Sequence, residues 1–372
     1  MLPFARMVKF GNVREVTKIR KLVTDGSNGV LLLTTSGKLY ATGPNTNGQF
    51  GDVTTSADKW TLIYENVDDF YNSPTWTFLK LKDGQYMCSG VTTAFGYPTS
   101  NIFVNCSSIF NAITGTIIDV QVNVLRNCIG VLTNLGELWF IGTNTQYIFG
   151  MSTPSSSTSF VKNTIVSDVK SFKLMYANVW ALTNSGVLYG SGNPNASQIP
   201  SSTGFTQIAT GVLGYSATVA VVVLNTASGV FARGNVNNTY GTSVSGATAT
   251  LVSCSLPFTY NAATFAFPKI VNNSSSVAAR IIIQNGTDYY VSAVSDNYGF
   301  TSTNASFAPG PVPAFTKMIN APTSIEPIFF DSTYSSYYIE NDICYVAGRL
   351  YPLPGYTTSD KALIYTEEKI VI

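Results

Sequence analysis

Short apolar runs recur along the whole chain, and tight turns separate them. The first clear example lies at residues 31–51, LLLTTSGKLYATGPNTNGQFG, where a leucine run, a Ser36-Gly37 turn and a second apolar run follow one another. Because glycine tolerates the positive φ that a two-residue turn requires, this stretch predicts a β-hairpin followed by a glycine-rich closing loop. The same pattern recurs to the end of the chain.

The spacing of these turns is nearly constant. The turn positions are Gly37, Gly84, Gly136, Gly186, Gly229, Gly286 and Asp342, separated by 47, 52, 50, 43, 57 and 56 residues. A second glycine follows five or six residues after the turn, at Gly43, Gly90, Gly142, Gly192 and Gly234. Glycines placed at random would not keep both spacings in register, so the sequence predicts seven structural repeats.

Each repeat has room for four short strands: one before the turn, one after it, and two outer strands before the next repeat. No stretch keeps a 3.6-residue period, so the predicted fold class is all-β. Units of about 40–50 residues with four strands are typical of propeller blades. We expect the aromatic residue after each turn to pack between blades. These residues are Tyr40, Tyr86, Trp139, Tyr189, Phe231, Tyr290 and Tyr345.

The whole chain is therefore predicted to form a single seven-bladed β-propeller domain, residues 1–372. The approximate blades are 13–66, 67–116, 117–167, 168–211, 212–267, 268–324 and 325–372. An N-terminal strand in residues 1–12 is predicted to pair with the C-terminal strand in KALIYTEEKIVI. Such pairing would close the ring and remove the exposed edges of an open array.

Charge is sparse and unevenly distributed. Hydrophobic residues make up 45% of the chain, whereas charged residues make up 11%, compared with roughly 25% in average soluble proteins. Between residues 174 and 268 the only charged residue is Arg233, and the net charge is +1. The chain thus lacks the clustered cations of a general nucleic-acid binder. The neutral tract fits either a face that packs on other subunits or a Ser/Thr-rich polar surface.

The sequence offers little for catalysis, a cofactor or a metal. It has no histidine, so Ser-His-Asp and Cys-His arrangements cannot form. Its five cysteines include no C-x-x-C pair, so we expect free thiols in β cores rather than zinc ligands. The adjacent carboxylates Asp68 and Asp69 would point to opposite faces of a strand. We therefore expect no enzyme activity, no cofactor and no metal.

Targeting signals are also missing from the sequence. The N-terminal stretch MLPFARMVKF has no apolar run of the kind found in secretory signals. The most apolar segment, residues 217–224, is too short to span a bilayer. We therefore expect synthesis in the cytoplasm and no membrane insertion.

The first repeat resembles that of the regulator-of-chromosome-condensation family, whose blades read roughly LxxDGxVYxWGxNxxGQLG. The matching residues are Ser36, Gly37, Tyr40, Gly43, Asn45, Gly48, Gln49, Phe50 and Gly51. The third repeat keeps Gly136, Trp139, Gly142, Asn144 and Gly150. The resemblance implies a seven-bladed propeller that binds a partner. The family's His-Ser pair is missing, and the residues by which the nuclear member engages its GTPase have no counterpart, so the resemblance does not imply exchange activity.

Two stretches are candidates for a binding site. They contain Tyr334, Tyr337, Tyr338, Tyr351 and Tyr356 in the seventh repeat, and Asn237, Asn238 and Tyr240 in the fifth. Tyrosine and asparagine together suit recognition of carbohydrate or protein, because a flat apolar ring is combined with polar edges. In a propeller, the same tyrosines also serve as packing between blades.

These features favour a non-enzymatic structural or binding propeller of a viral particle. Low charge, Ser/Thr/Asn richness and the missing signal suit a bacteriophage head decoration, tail or fibre component. Its expected partners are other virion proteins and a host-surface glycan or protein, with no nucleic acid, and its expected location is the virion, after synthesis in the host cytoplasm. The alternative is a cellular protein-binding propeller, such as a GTPase regulator or a secreted inhibitor.

Overall fold

The protein is a β-propeller in which short antiparallel sheets follow one another along the chain. The computed structural model describes residues 18–24, 29–55, 59–123, 127–193, 199–200, 202–218, 220–268, 270–272, 280–296, 310–318, 328–330, 335–340, 343–349 and 361–368. Within these residues, all regular structure is strand except for three short 3₁₀ helices, at Thr93–Phe95, Ser107–Ala112 and Thr145–Tyr147. The predicted all-β fold is confirmed.

Each of the first five sheets consists of four strands that are consecutive in the chain and neighbours in space. The first sheet contains β1 (Ile19–Thr24), β2 (Val30–Thr34), β3 (Leu39–Thr42) and β4 (Thr61–Tyr64). The second contains β5 (Val67–Asn72), β6 (Trp76–Leu81), β7 (Tyr86–Gly90) and β8 (Ser100–Asn105). The third contains β9 (Ile117–Asn123), β10 (Cys128–Thr133), β11 (Leu138–Thr143) and β12 (Ser156–Lys162).

The next two sheets follow the same order. The fourth contains β13 (Val169–Leu174), β14 (Asn178–Thr183), β15 (Leu188–Gly192) and β16 (Ser202–Ala209). The fifth contains β17 (Val212–Ala217), β18 (Val221–Thr226), β19 (Gly229–Asn235) and β20 (Ala247–Ser253). This regular succession follows from the turn spacing of the sequence, because each hairpin turn joins the two middle strands of a sheet.

The last two sheets are linked by one segment of chain. The sixth sheet contains β21 (Phe265–Ala266), β23 (Arg280–Asn285), β24 (Asp288–Asp296) and β25 (Gly310–Lys317). The seventh contains β22 (Ile270–Asn272), β26 (Ile328–Phe330), β27 (Ser335–Glu340), β28 (Ile343–Arg349) and β29 (Lys361–Glu368). Strand β22 pairs with β26 in parallel, whereas β21 belongs to the sixth sheet. The boundary expected at residues 267/268 therefore falls inside a segment that contributes a strand to each of two sheets.

The first strand of a sheet lies innermost and the fourth strand lies outermost. Strand β9 contacts both β5 and β13, the first strands of the neighbouring sheets. Hydrogen bonds also cross between first strands: Lys21 Nζ donates to the carbonyl oxygen of Phe70 (2.6 Å), and Gln121 Nε2 to that of Phe172 (2.7 Å). The fourth strands β4, β8, β12 and β20 are mostly exposed or half-buried. The first strands thus border the central channel.

Three turn glycines of the repeat join their sheet to the next one. The carbonyl oxygen of Gly37 accepts a hydrogen bond from the N–H of Val67, the first residue of β5 (2.9 Å). Gly136 and Gly186 accept in the same way from the first residues of β13 and β17, at 3.0 and 2.9 Å. Gly37 has φ +92°, a region that residues with a Cβ rarely adopt. The repeated glycine therefore shapes the hairpin turn and places a carbonyl against the next blade.

The repeated asparagines close the loops between the third and fourth strands. Asn144 Oδ1 accepts from the N–H of Phe149 (2.8 Å), and its Nδ2 donates to the carbonyl oxygens of Met151 (2.9 Å) and Pro154 (2.7 Å). Asn45 makes the equivalent three bonds in the first sheet, to the N–H of Phe50 and to two carbonyl oxygens. The glycine-rich loops are thus held by their own side chains as blade-closing turns.

The core lies between the sheets, and five apolar clusters of the described residues fill the junctions from the first sheet to the sixth. Six of the seven aromatic residues predicted to pack there belong to such clusters. They are Tyr40, Tyr86, Trp139, Tyr189, Phe231 and Tyr290. This prediction of inter-blade packing is confirmed for these six.

The first and the seventh sheets meet in the core. Cys344 of β28 is completely buried in the same cluster as Leu22 of β1 and Phe70 of β5, and Ile339 of β27 packs against that cluster. The first and the seventh sheets are therefore neighbours, as a closed ring requires. Within the described residues, β29 pairs with β28 of its own sheet. The predicted N-terminal strand in residues 1–12 lies outside the described residues, so its pairing with the C-terminal strand stays a prediction.

Candidate protein-binding face

The first strands of five consecutive sheets share a β-bulge at the same position. In β1, Ile19 pairs with Thr34 and Lys21 with Leu33, which leaves Arg20 without an opposite residue. The equivalent register shift occurs in β5, β9, β13 and β17. We call the five bulged residues the bulge ring: Arg20, Asp68, Ile118, Lys170 and Leu213.

The bulge ring lies at one end of the central channel. Each bulge sits opposite the residue that precedes a hairpin turn, so the ring shares a face with these turns, which we call the turn face. A bulge leaves its extra residue outside the ladder and redirects its side chain. Ile118 and Leu213 are accordingly 57% and 48% exposed, although both are large apolar residues on innermost strands.

One half of the bulge ring is an ion-pair network across the first two sheets. Arg20 Nη1 lies 3.2 Å from Asp68 Oδ1, and Lys80 Nζ lies 3.0 Å from Asp68 Oδ2. The hydrogen bond from Lys80, with that from Arg20, lowers the pKa of Asp68 below its ordinary value, against the smaller opposing effect of burial. Both oxygens of this carboxylate are thus occupied by cations of the protein itself.

A second ion pair lies beside the first, and its cation is more buried than Arg20. Lys21 Nζ lies 2.8 Å from Asp69 Oδ1 and 4.6 Å from the centre of the Phe70 ring. Burial raises the pKa of Asp69, but the charge of Lys21 and hydrogen bonds from Lys21, Phe70 and Tyr71 together hold it below the ordinary value. Burial and the neighbouring Asp69 raise the pKa of Tyr71 well above its usual range. This pair braces the first sheet against the second.

Polar contacts continue along the channel wall in the third to fifth sheets. Asp119 Oδ2 accepts from Gln121 Nε2 (3.0 Å), and Gln121 Oε1 accepts from the N–H of Leu174 (3.0 Å). The hydroxyl of Tyr215 is buried, which raises its pKa. Asp119 and Gln121 are thus held by contacts within the wall, whereas Arg20, Ile118, Lys170 and Leu213 of the bulge ring are exposed to solvent.

The structure describes five of the eight residues that the sequence predicts to bind a ligand. Asn237 and Asn238 are exposed in the loop after β19, at positive φ angles of 37° and 56°. Tyr240 of the same loop is completely buried in the core between the fifth and sixth sheets, so its ring is not presented to solvent. Tyr337 and Tyr338 lie on β27. Tyr334, Tyr351 and Tyr356 lie outside the described residues, and a binding role of these residues stays a prediction.

The described part of the chain contains no metal-binding cluster, disulfide or membrane-spanning helix. There, no group of three or more His, Cys, Asp or Glu side chains is placed to hold a metal ion. The five cysteines are buried free thiols, as expected for β cores. None of the described helices is long and apolar enough to cross a bilayer.

Sequence reasoning missed the bulge ring. Its five members are two cations, an anion and two aliphatic residues, so no residue type marks the position. The only signal in the sequence is their spacing of 48, 50, 52 and 43 residues, which follows the turn glycines. A bulge depends on local backbone geometry rather than on one residue type, and it therefore stays hidden until the register is known.

Comparison with known proteins supports the fold. No protein-family model and no curated protein matches the sequence. Yeast RCC1 (Prp20), solved bound to Kap60, is 12% identical with a TM-score of 0.67, over 99% of this chain and 90% of that chain. Human WBSCR16 is 14% identical with a TM-score of 0.62, over 85% of each chain. A second structure of Prp20p, from Saccharomyces cerevisiae, is 13% identical with a TM-score of 0.51, over 94% of this chain and 76% of that chain.

These similarities concern the fold alone. At 12% to 14% identity, they show that the chain adopts the propeller fold of these RCC1-like structures. The resemblance found in the first repeat is therefore supported at the level of the fold.

Proposed function

We propose that this chain is a non-enzymatic, protein-binding β-propeller that engages its partner through the turn face. The observation that carries the proposal is the bulge ring. Five sheets keep the same bulge, but the bulged side chains differ in charge and polarity. By contrast, the turn glycines and the loop asparagines Asn45 and Asn144, whose roles lie in the backbone and in loop closure, keep their residue type between repeats. A constant backbone with varied side chains is typical of a recognition surface on a repeated scaffold.

The composition of the ring suits a protein partner. It combines Arg20, Lys170 and Asp68 with the exposed aliphatic residues Ile118 and Leu213. Protein interfaces combine apolar anchors with a polar and charged rim, and grouped exposed apolar residues mark interaction sites. The ring also lies at the end of the channel, where residues from several blades converge.

A cellular partner is the version of this function that we favour. Prp20, which shares the fold, has been solved in complex with Kap60. A second structure of Prp20p was reported together with its binding properties to Gsp1p and histones. Those partners are proteins, in keeping with the proposed role. A more specific form of the proposal is that the partner is a GTPase that this protein regulates. The similarity of fold to Prp20 is its only support.

The viral role expected from composition stays a prediction. Its supports are the charged fraction of 11% and the neutral tract between residues 174 and 268. The three compared structures provide no support for a virion protein. Mass spectrometry of purified particles from a suitable host tests this role, because absence of the chain from such particles would exclude it.

Site-specific crosslinking tests the proposed binding face. A photoreactive amino acid is introduced at Ile118 in the bulge ring, or as a control at Ile102 on the outer strand β8, where the native side chain is 52% exposed. In cells that express the full chain, we expect a discrete protein adduct from position 118 and none from position 102. Adducts of equal yield from both positions, or from position 102 alone, would contradict the turn face as the binding site.

A further inference from the structure

The two halves of the bulge ring differ in how their charges are compensated. In the first half, Arg20 and Lys80 occupy both oxygens of Asp68. These side chains therefore satisfy one another within the protein. A partner would have to break this network to gain a charge interaction there, and the gain would be small.

The second half carries a charge without a partner. Lys170 is exposed on β13 and makes no ion pair within the described part of the chain. Asp168, two residues before Lys170, and Asp119, directly after the bulge at Ile118, have polar contacts of their own. Asp168 Oδ1 accepts from Asn184 Nδ2 (2.7 Å), and Asp119 Oδ2 accepts from Gln121 Nε2. The ammonium of Lys170 is thus available to a ligand.

The neighbours of Lys170 in the ring are both apolar. Ile118 occupies the equivalent bulge of the third sheet, and Leu213 that of the fifth sheet. Both are about half exposed. The fourth sheet lies between these sheets, so the ring presents the order apolar, cationic, apolar across three adjacent blades.

We propose, resting on the protein-binding function above, that this half of the ring recognises a protein segment in which a carboxylate is flanked by apolar side chains. The carboxylate would pair with Lys170, and the apolar side chains would cover Ile118 and Leu213. Covering the apolar residues removes water around the ion pair, which strengthens the charge interaction. Complementary charge then fixes the register of the segment on the ring.

Peptide-display selection against the purified full chain tests this proposal. A library of random peptides is selected on the wild-type protein, on Lys170→Glu and on Lys59→Glu. Lys59 is an exposed lysine away from the ring, next to the outer strand β4, and serves as the matched control. Both substitutions are at exposed positions, and their melting temperatures are compared with wild type before selection.

The expected outcome is specific to Lys170. The wild-type protein and Lys59→Glu should enrich Asp or Glu flanked by Leu, Ile, Val or Phe, whereas Lys170→Glu should enrich Lys or Arg instead. A selected peptide resynthesised with Asn or Gln in place of its acidic residue should bind wild type at least about 10-fold more weakly. Enrichment without acidic residues, or the same sequences from wild type and Lys170→Glu, would overturn the proposal.

The result is separable from that of the crosslinking experiment. If position 118 crosslinks a protein but the selected peptides lack acidic residues, the turn face still binds a partner and only its proposed chemistry is wrong. If position 118 gives no adduct beyond the control, the binding function itself is wrong.

Discussion

The ammonium of Lys21 lies 2.8 Å from Asp69 Oδ1 and joins the innermost strands of the first and second sheets. Lys21 also donates to the carbonyl oxygen of Phe70, at 2.6 Å. Because Lys21 is half-buried, removing the carboxylate leaves a partly buried cation without its anion. This contact is therefore worth more than an exposed ion pair.

We expect Asp69→Ala to lower the free energy of unfolding by about 2 kcal/mol, the usual range for a lost hydrogen bond to a charged group. Urea unfolding followed by tryptophan fluorescence measures the change. Arg20→Met, which removes the exposed partner of Asp68, is the control and should cost less than about 1 kcal/mol. Equal losses of unfolding free energy for the two variants would show that the Lys21–Asp69 pair stabilises the fold no more than the exposed Arg20–Asp68 pair.

Asp68 and Asp69 also make the free energy of unfolding depend on pH. The pKa values of Asp68 and Asp69 are lower in the folded protein than their ordinary values. Their contribution is therefore complete above the pKa of the unfolded chain, about 3.9, and is lost as the pH falls through the folded values. Urea unfolding between about pH 6 and pH 3 should show stability falling below about pH 4. In Asp69→Asn this fall should be smaller, and an unchanged pH dependence would refute the assignment.

Two glycines of the second sheet offer a matched test of close packing between strands. Gly84 and Gly90 have nearly the same φ, +87° and +91°. A Cβ at Gly84 would meet nothing within 4 Å, whereas at Gly90 it would lie 2.2 Å from the carbonyl oxygen of Thr75. We expect Gly84→Ala to cost about 1–2 kcal/mol through backbone strain. Gly90→Ala should cost clearly more, as measured by melting temperature and urea unfolding, and equal losses would contradict the close approach of Thr75 to Gly90.

The closing loop of the third sheet depends on the amide of Asn144. Asn144→Asp keeps the acceptor for the N–H of Phe149 but sets a carboxylate oxygen against the carbonyl oxygens of Met151 and Pro154. We expect a loss of about 2–4 kcal/mol, since two buried donations are replaced by repulsion. The control is Asn111→Asp, at an exposed position, with an expected change within about 0.5 kcal/mol. Thermal unfolding of both variants measures the difference.

Deletion of residues 363–372 tests the closure of the ring. It removes most of β29, which pairs with β28 along the outer side of the seventh sheet. The deletion exposes the edge of β28, so we expect a marked fall in melting temperature and a tendency to aggregate. An unchanged melting temperature would show that the C-terminal strand is dispensable for closure.

Much of the fold could be predicted from the sequence because the repeat acts through the backbone. Gly37 and Gly136 adopt positive φ and accept a hydrogen bond from the next blade, and Asn45 and Asn144 hold their loops by the same three bonds. Each role requires one residue type at a fixed distance from the turn. Such requirements leave a periodic pattern that a single sequence displays.

The candidate site could not be predicted in this way. The bulges at Arg20, Ile118 and Leu213 share a backbone geometry but no side-chain type, so they leave no pattern of composition. Tyr240 was expected at a binding surface, yet its ring fills the core, because a tyrosine that follows a hairpin can serve packing as well as recognition. The pairing of residues 270–272 with the seventh sheet also leaves no local signal in the sequence, because their parallel partner strand lies more than fifty residues later.

The pairing of residues 270–272 with the seventh sheet affects how the propeller unfolds. Phe265 and Ala266 pair with β23 in the sixth sheet, whereas Ile270–Asn272 pair with β26 in the seventh, so strands that are close in the chain belong to two sheets. Elsewhere, within the described residues, each sheet is built from four strands that are consecutive in the chain. We therefore expect the last two blades to unfold together, so that the contact between the seventh and the first sheets belongs to a larger folding unit than a single blade.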